Sequence, residues 1–168
     1  GTARGFGFVL TPRQGQALRR LLKAGETVRV RARVLAEEYD GGLEVVSAAI
    51  PGAAEQPQEI LVTAHLCHPQ PSANDNASGA AAALEAALAL RDLVLSGALP
   101  QPRRTIRFLW MPEMTGTMAY LSGREAELER IVAGLNLDMV GEDQDQTGGS
   151  WLIERPPDAT ASFAPELL

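Results

Sequence analysis

The chain has 168 residues, of which 45% are hydrophobic and 21% charged. That is enough apolar material for a buried core and too much for a disordered or fibrous chain. A net charge of −6 excludes the basic stripe of a nucleic-acid binder, and one cysteine, Cys67, excludes an intrachain disulfide framework. The two histidines, His65 and His68, are too few for a site built mainly of imidazole, so any metal must lean on carboxylates.

The chain opens on a Gly-rich stretch with no methionine and no leader pattern. It stops inside a helix-start signal formed by Ser162, Pro165 and Glu166, so the expectation is a piece of a longer protein. Thr11-Pro12-Arg13-Gln14 predicts a helix start, with Thr as cap and Gln closing a capping box. Ala17, Leu18, Leu21 and Leu22 give that helix one apolar face, and Gly25 ends it. From Val28 to Val34 apolar residues alternate with Arg29, Arg31 and Arg33, which predicts a half-buried strand with a solvated basic face. Asp40-Gly41-Gly42 predicts a turn, Leu43–Ile50 a second strand, and Pro51–Gln58 a loop.

The pattern then changes. Ile60–Ala64 is a short continuous apolar run, as in a strand buried on both faces. Ser78–Leu95 predicts an Ala/Leu helix stopped by Gly97 and Pro100. Its apolar part carries Glu85, Arg91 and Asp92 and is too short and too charged to span a bilayer. Thr105–Trp110 and Leu135–Met139 predict two more buried strands, and Gly116–Leu121 and Arg124–Val132 two helices. Gly141–Gly149 predicts an acidic loop and Ser150–Glu154 a short strand. Strand and helix in alternation are the grammar of an α/β fold.

In open α/β sheets, ligands bind outside the carboxyl ends of the strands. The first buried strand ends in His65-Leu66-Cys67-His68, the second in Pro112-Glu113, and the third carries Asn136-Leu137-Asp138. The long helix is preceded by Asn74-Asp75-Asn76-Ala77-Ser78-Gly79. One imidazole and three carboxylates therefore meet along one sheet edge, a donor mix suited above all to zinc. Each residue alone has a simpler reading: His65 as a satisfied core histidine, Asp75 as a helix cap, Glu113 as a solvated loop acid, Asp138 as a turn cap. Their joint placement at successive strand ends raises the metal reading above these. Cys67 shares a strand face with His65 and is either a thiolate ligand or small packing.

At these residues the sequence resembles the co-catalytic di-zinc aminopeptidases, the family of bacterial leucyl aminopeptidase, glutamate carboxypeptidase and glutaminyl cyclase. The carrying segments are Leu61–His65, Asn74–Gly79, Thr105–Phe108 through Glu113, and Asn136–Gly141. The Asp-Asn-x-Ser-Gly element is the most specific of them. The His-x-Cys-His-Pro and Pro-Glu-Met-Thr-Gly forms resemble a divergent branch carrying an aminopeptidase-like domain. The resemblance implies a three-layer α/β/α fold with a mixed, mostly parallel central sheet, truncated at its C-terminus. It also implies that residues 1–50 end an inserted β-rich domain and that residues 51–168 form the peptidase-like part.

Residue by residue, the resemblance implies that His65 and Asp138 ligate one zinc and that Asp75 bridges two, with a cis Asp75–Asn76 peptide. Glu113 matches the general base that takes a proton from water attacking a peptide carbonyl. Three positions depart from the family pattern. Cys67 stands where an Asp orients the first His, Met114 stands where a second Glu ligates metal, and no His follows His68. His68 is therefore a candidate extra ligand, and Glu113 is either base or ligand. The expected function is zinc-dependent hydrolysis of N-terminal peptide bonds, with one or two Zn²⁺. The substrate is a peptide or small amide; neither nucleic acid nor membrane is a partner, and the cytoplasm is the expected location. The alternatives are a catalytically inactive binding domain of the same fold and a single-zinc acyl transferase of glutaminyl-cyclase type.

Overall fold

The computed structural model describes residues 7–53, 57–157, 159 and 162–167. The chain divides into two compact units, one running to Asp40 and one starting at Gly41.

In the first unit, helix α1 (Pro12–Lys23) begins as the sequence predicts. Thr11 Oγ1 accepts from Gln14 N at 3.3 Å, while Thr11 N donates to Gln14 Oε1 at 3.0 Å. Gly25 takes a positive φ of 78° just past the helix, where a side chain would be strained. The strand predicted over Val28–Val34 is not formed: those residues have no regular secondary structure and no ladder partner among the described residues. Alternation gives a strand its two faces, but only a neighbouring strand can satisfy its backbone groups.

The second unit holds a four-stranded sheet of β1 (Val46–Ile50), β2 (Glu59–His65), β3 (Thr105–Met111) and β4 (Ile131–Asn136). The order across it is β1-β3-β2-β4. β2 runs parallel to β3 and to β4, and β1 is antiparallel to β3. The sheet is thus mixed and mostly parallel, in an α/β fold as the sequence implies. Helix α2 (Gly79–Leu95) joins β2 to β3, and helix α3 (Thr115–Ser122) lies between β3 and β4. The chain steps from β2 out to β3 and then reverses past β2 to β4, so the two connections leave in opposite directions.

Strand periodicity sorts the core onto two faces. Phe108 and Trp110 point to one face with Ile50 and Ala64, where they meet Ala83 of α2. Leu109 and Met111 point to the other with Leu61, where they meet Tyr120 of α3. Phe108 and Trp110 stack with centroids 6.2 Å apart, and Trp110 Nε1 donates to Ala80 O at 3.0 Å. The sheet is therefore a middle layer with a helix on each side.

Several boundaries differ from the sequence reading. The helix predicted at Arg124–Val132 is a short 3₁₀ turn, Glu125–Arg130, that gives way to β4 at Ile131. Glu, Leu and Arg favour helix locally, but Ile131 and the residues after it gain more by pairing with β2. Consequently the third parallel strand lies at 131–136 rather than Leu135–Met139. Its last rung is Leu137 N to Thr63 O at 2.8 Å, and Asp138 falls in the loop beyond. The strand predicted at Ser150–Glu154 is absent among the described residues. The acidic loop before it contains one short helix, α4 (Gln144–Thr147), capped by Asp143. No helix among the described residues is long and apolar enough to cross a membrane.

Candidate metal centre

The reversal of chain direction at β2 opens a crevice at the carboxyl ends of the parallel strands. His65 is the last residue of β2 and is buried, with 6% of its surface exposed. Its Nδ1 lies 2.8 Å from Cys67 O, and a carbonyl can only accept, so Nδ1 carries the proton. The lone pair of Nε2 then faces Asp75 Oδ1 at 3.0 Å and Asp138 Oδ2 at 3.5 Å. One donor atom from each of the three residues falls within 4.8 Å of the other two. A tetrahedral zinc with ligand bonds of about 2.1 Å holds neighbouring donors about 3.4 Å apart. The set of one imidazole and two carboxylates could therefore hold a metal ion, zinc among those such donors suit.

Three segments far apart in sequence make this convergence. Asp75 sits just ahead of α2 in a wide turn, Ala73–Ser78, whose cap Ser72 accepts from Asp75 N at 3.2 Å. The Asp75–Asn76 peptide is cis. Asn76 is 4% exposed, and its side chain reaches across to the loop after β4. Its Nδ2 donates to Leu137 O at 2.9 Å, and its Oδ1 accepts from Met139 N and Gly79 N, both at 3.1 Å. Asn74, two residues earlier, also ties the loops: its Oδ1 accepts from Ser78 Oγ and from Gly141 N, both at 3.0 Å. These contacts bring the two loops so close that a Cβ on Gly79 would lie 2.2 Å from Leu137 O. Only glycine fits there.

His68 stands beside the same carboxylate. Its Nε2 is 3.4 Å from Asp75 Oδ2, and its Nδ1 is 2.5 Å from Gln70 O. Each oxygen of Asp75 thus faces a different imidazole. Glu113 follows β3 and is exposed; its N donates to Cys67 Sγ at 3.2 Å, while its carboxylate is not one of the three converging donors. The residues after Glu113 and Asp138 are both methionines with positive φ, 49° at Met114 and 52° at Met139. Such φ values in residues with side chains concentrate where surrounding structure holds a site in shape. A cleft of about 470 Å³ opens beside the centre, walled by Leu66, Pro69, Pro71 and Ala77 and reaching His68 and Asp75.

The structure thus brings together His65, Asp75 and Asp138 and sets His68 against Asp75. Sequence reasoning did not find the work of Asn74 and Asn76. The signal was two asparagines flanking an acid at a helix start, where one cap would do. It also treated Cys67 as a missing orienting acid, whereas its main-chain carbonyl orients His65.

Comparison with known proteins takes in these residues. The family described as "Domain of unknown function (DUF4910)" matches residues 21–152, well over half of the sequence. A Clostridium acetobutylicum protein named "Putative polysaccharide biosynthesis protein with aminopeptidase-like domain" is 37% identical over 103 residues, covering 61% of this chain. A crystal structure titled "putative peptidase" from Clostridium acetobutylicum matches 59% of this chain with 35% identity and a TM-score of 0.50. The chain spans 21% of the length of each of these proteins.

Proposed function

The chain belongs to the DUF4910 family, and from that premise we propose that it carries the metal centre of a peptidase-like hydrolase, specifically a zinc-dependent aminopeptidase. The observation that carries this reading is the convergence of His65 Nε2, Asp75 Oδ1 and Asp138 Oδ2 at the carboxyl edge of the sheet. The names of the Clostridium acetobutylicum matches, a protein with an aminopeptidase-like domain and a solved "putative peptidase", support the reaction class.

In this reading His65, Asp75 and Asp138 would hold one zinc, and His68 beside Asp75 would offer a donor to a second. Zinc bound there supplies Lewis acidity toward water and toward a peptide carbonyl. The rest is done by the chain. Cys67 O keeps His65 in the tautomer that leaves Nε2 free to donate a lone pair. The Glu113 carboxylate accepts the proton of the attacking water and returns it to the leaving amine. The cleft beside Asp75 receives the substrate residue next to the scissile bond.

The test is metal content with hydrolysis of amino-acid nitroanilides by the full-length protein. Stoichiometric zinc and chelator-sensitive hydrolysis are expected. His65→Ala is expected to lose metal and to lower kcat/KM by about 10³-fold or more. Full activity in metal-free protein would overturn the reading. Tight zinc binding without hydrolysis would favour a domain of this fold kept for binding, a role compatible with Met114 in place of a second glutamate.

A further inference from the structure

Resting on the reading of His65, Asp75 and Asp138 as a metal centre, we propose that the Asn76 side chain sets the spacing of the two carboxylates. Asn76 is thus a positioning residue that assembles the donor set before any cation arrives. Asp75 and Asp138 belong to loops separated in sequence by α2, β3, α3 and β4 and carry like charges, so nothing in their own chemistry draws them together. Asn76 is bonded to Asp75 through the main chain, and its amide holds both neighbours of Asp138: Leu137 through its carbonyl and Met139 through its N–H. One planar group therefore fixes both sides of one acid while directly following the other in the chain.

The amide is also anchored at its own end. Gly79 N, the first residue of α2, donates to the same Oδ1 that receives Met139 N. At 4% exposure, the side chain has three protein partners and little access to water. Losing any of those bonds would leave a buried polar group unsatisfied, which makes the arrangement all-or-none. Asn74 adds a second tie, to Gly141, but is only half-buried. Asparagine suits the central position because it both donates and accepts; aspartate lacks the donor that Leu137 O requires.

The experiment uses the full chain and two probes. First, the side-chain amide protons of Asn76 are followed by NMR in metal-free protein. They are expected to exchange at least a hundredfold more slowly than those of exposed Gln16, with little change when Zn²⁺ is added. Exchange as fast as Gln16 in the metal-free chain would overturn the proposal without any variant. Second, Zn²⁺ affinity and the visible spectrum of bound Co²⁺ are compared among variants. Asn76→Ala and Gly79→Ala, which break the tie from its two sides, are expected to weaken Zn²⁺ at least tenfold and to shift the Co²⁺ bands. Leu109→Ala, in the core away from the centre, is expected to lower Tm but leave the Co²⁺ spectrum unchanged. If Leu109→Ala weakens metal binding as much as Asn76→Ala at equal loss of Tm, Asn76 is only structural and the proposal fails. If the unmodified chain binds no metal, the metal reading fails, while the amide exchange still decides whether Asn76 ties the loops.

Discussion

His65 shows how surroundings decide which nitrogen an imidazole presents. An imidazole can present either nitrogen, and the choice is made by what the other nitrogen touches. Here that partner is the carbonyl of Cys67, two residues on, at 2.8 Å. Because the contact is main-chain, the identity of residue 67 matters little to it. Cys67→Ala is therefore expected to keep Zn²⁺ affinity within about threefold of the parent by isothermal titration, a small fraction of the cost of removing a ligand. The same change removes Sγ as acceptor for Glu113 N. The expected loss is in kcat rather than in metal content, by about tenfold, the size of one modest hydrogen bond. A metal content that falls along with kcat would show that the thiol itself binds the ion. Cys67 is exposed, so alkylation of the thiol gives an independent check on the same contact.

At the level of elements, the first residue of β2 carries a second arrangement that composition concealed. Arg107 of β3 grips Glu59 with two parallel bonds, Nε to Oε2 and Nη2 to Oε1, both 2.7 Å, and reaches Ser47 on β1 at 3.2 Å. One side chain thereby ties three strands. The hydrogen bonds from Arg107 hold the Glu59 carboxyl below its ordinary range, and the carboxylate raises Arg107 in turn. A depressed carboxyl stabilises the fold above its unfolded value and loses that contribution as pH falls through the folded one. Glu59→Gln is expected to cost about 1 kcal/mol at neutral pH, discounted for partial exposure. The Tm gap between parent and variant is expected to close below about pH 4. A gap that persists at low pH would mean that packing, not charge, is what the glutamate supplies.

Elements also show what a sequence can and cannot disclose. β2 and β3 were legible because both faces are buried and their apolar runs are continuous. The start of β4 was not, because Glu125–Arg130 has helix-forming composition and only the partner strand decides where pairing begins. Val28–Val34 had the pattern of a strand and no ladder to join. The convergence of His65, Asp75 and Asp138 could be expected from two strand ends and the start of the long helix. The partners of Asn76 could not, since Leu137 and Met139 lie more than sixty positions away.

For the whole molecule, all candidate donors lie beyond Asp40, in the second compact unit. A cation that binds only the folded form stabilises it by about 2.7 kcal/mol at a hundredfold excess over its Kd. Added Zn²⁺ is therefore expected to slow amide hydrogen exchange in the second unit, most of all around residues 73–79 and 137–141, and to leave α1 unchanged. Protection that appears first in α1 would place the binding elsewhere. β2 begins at Glu59, in the charged grip, and ends at His65, in the crevice, about 20 Å away along an extended strand. The fastening of the sheet and the candidate donor set thus occupy opposite ends of the same seven residues. A substitution in the crevice loops is therefore expected to leave the Glu59–Arg107 grip in place.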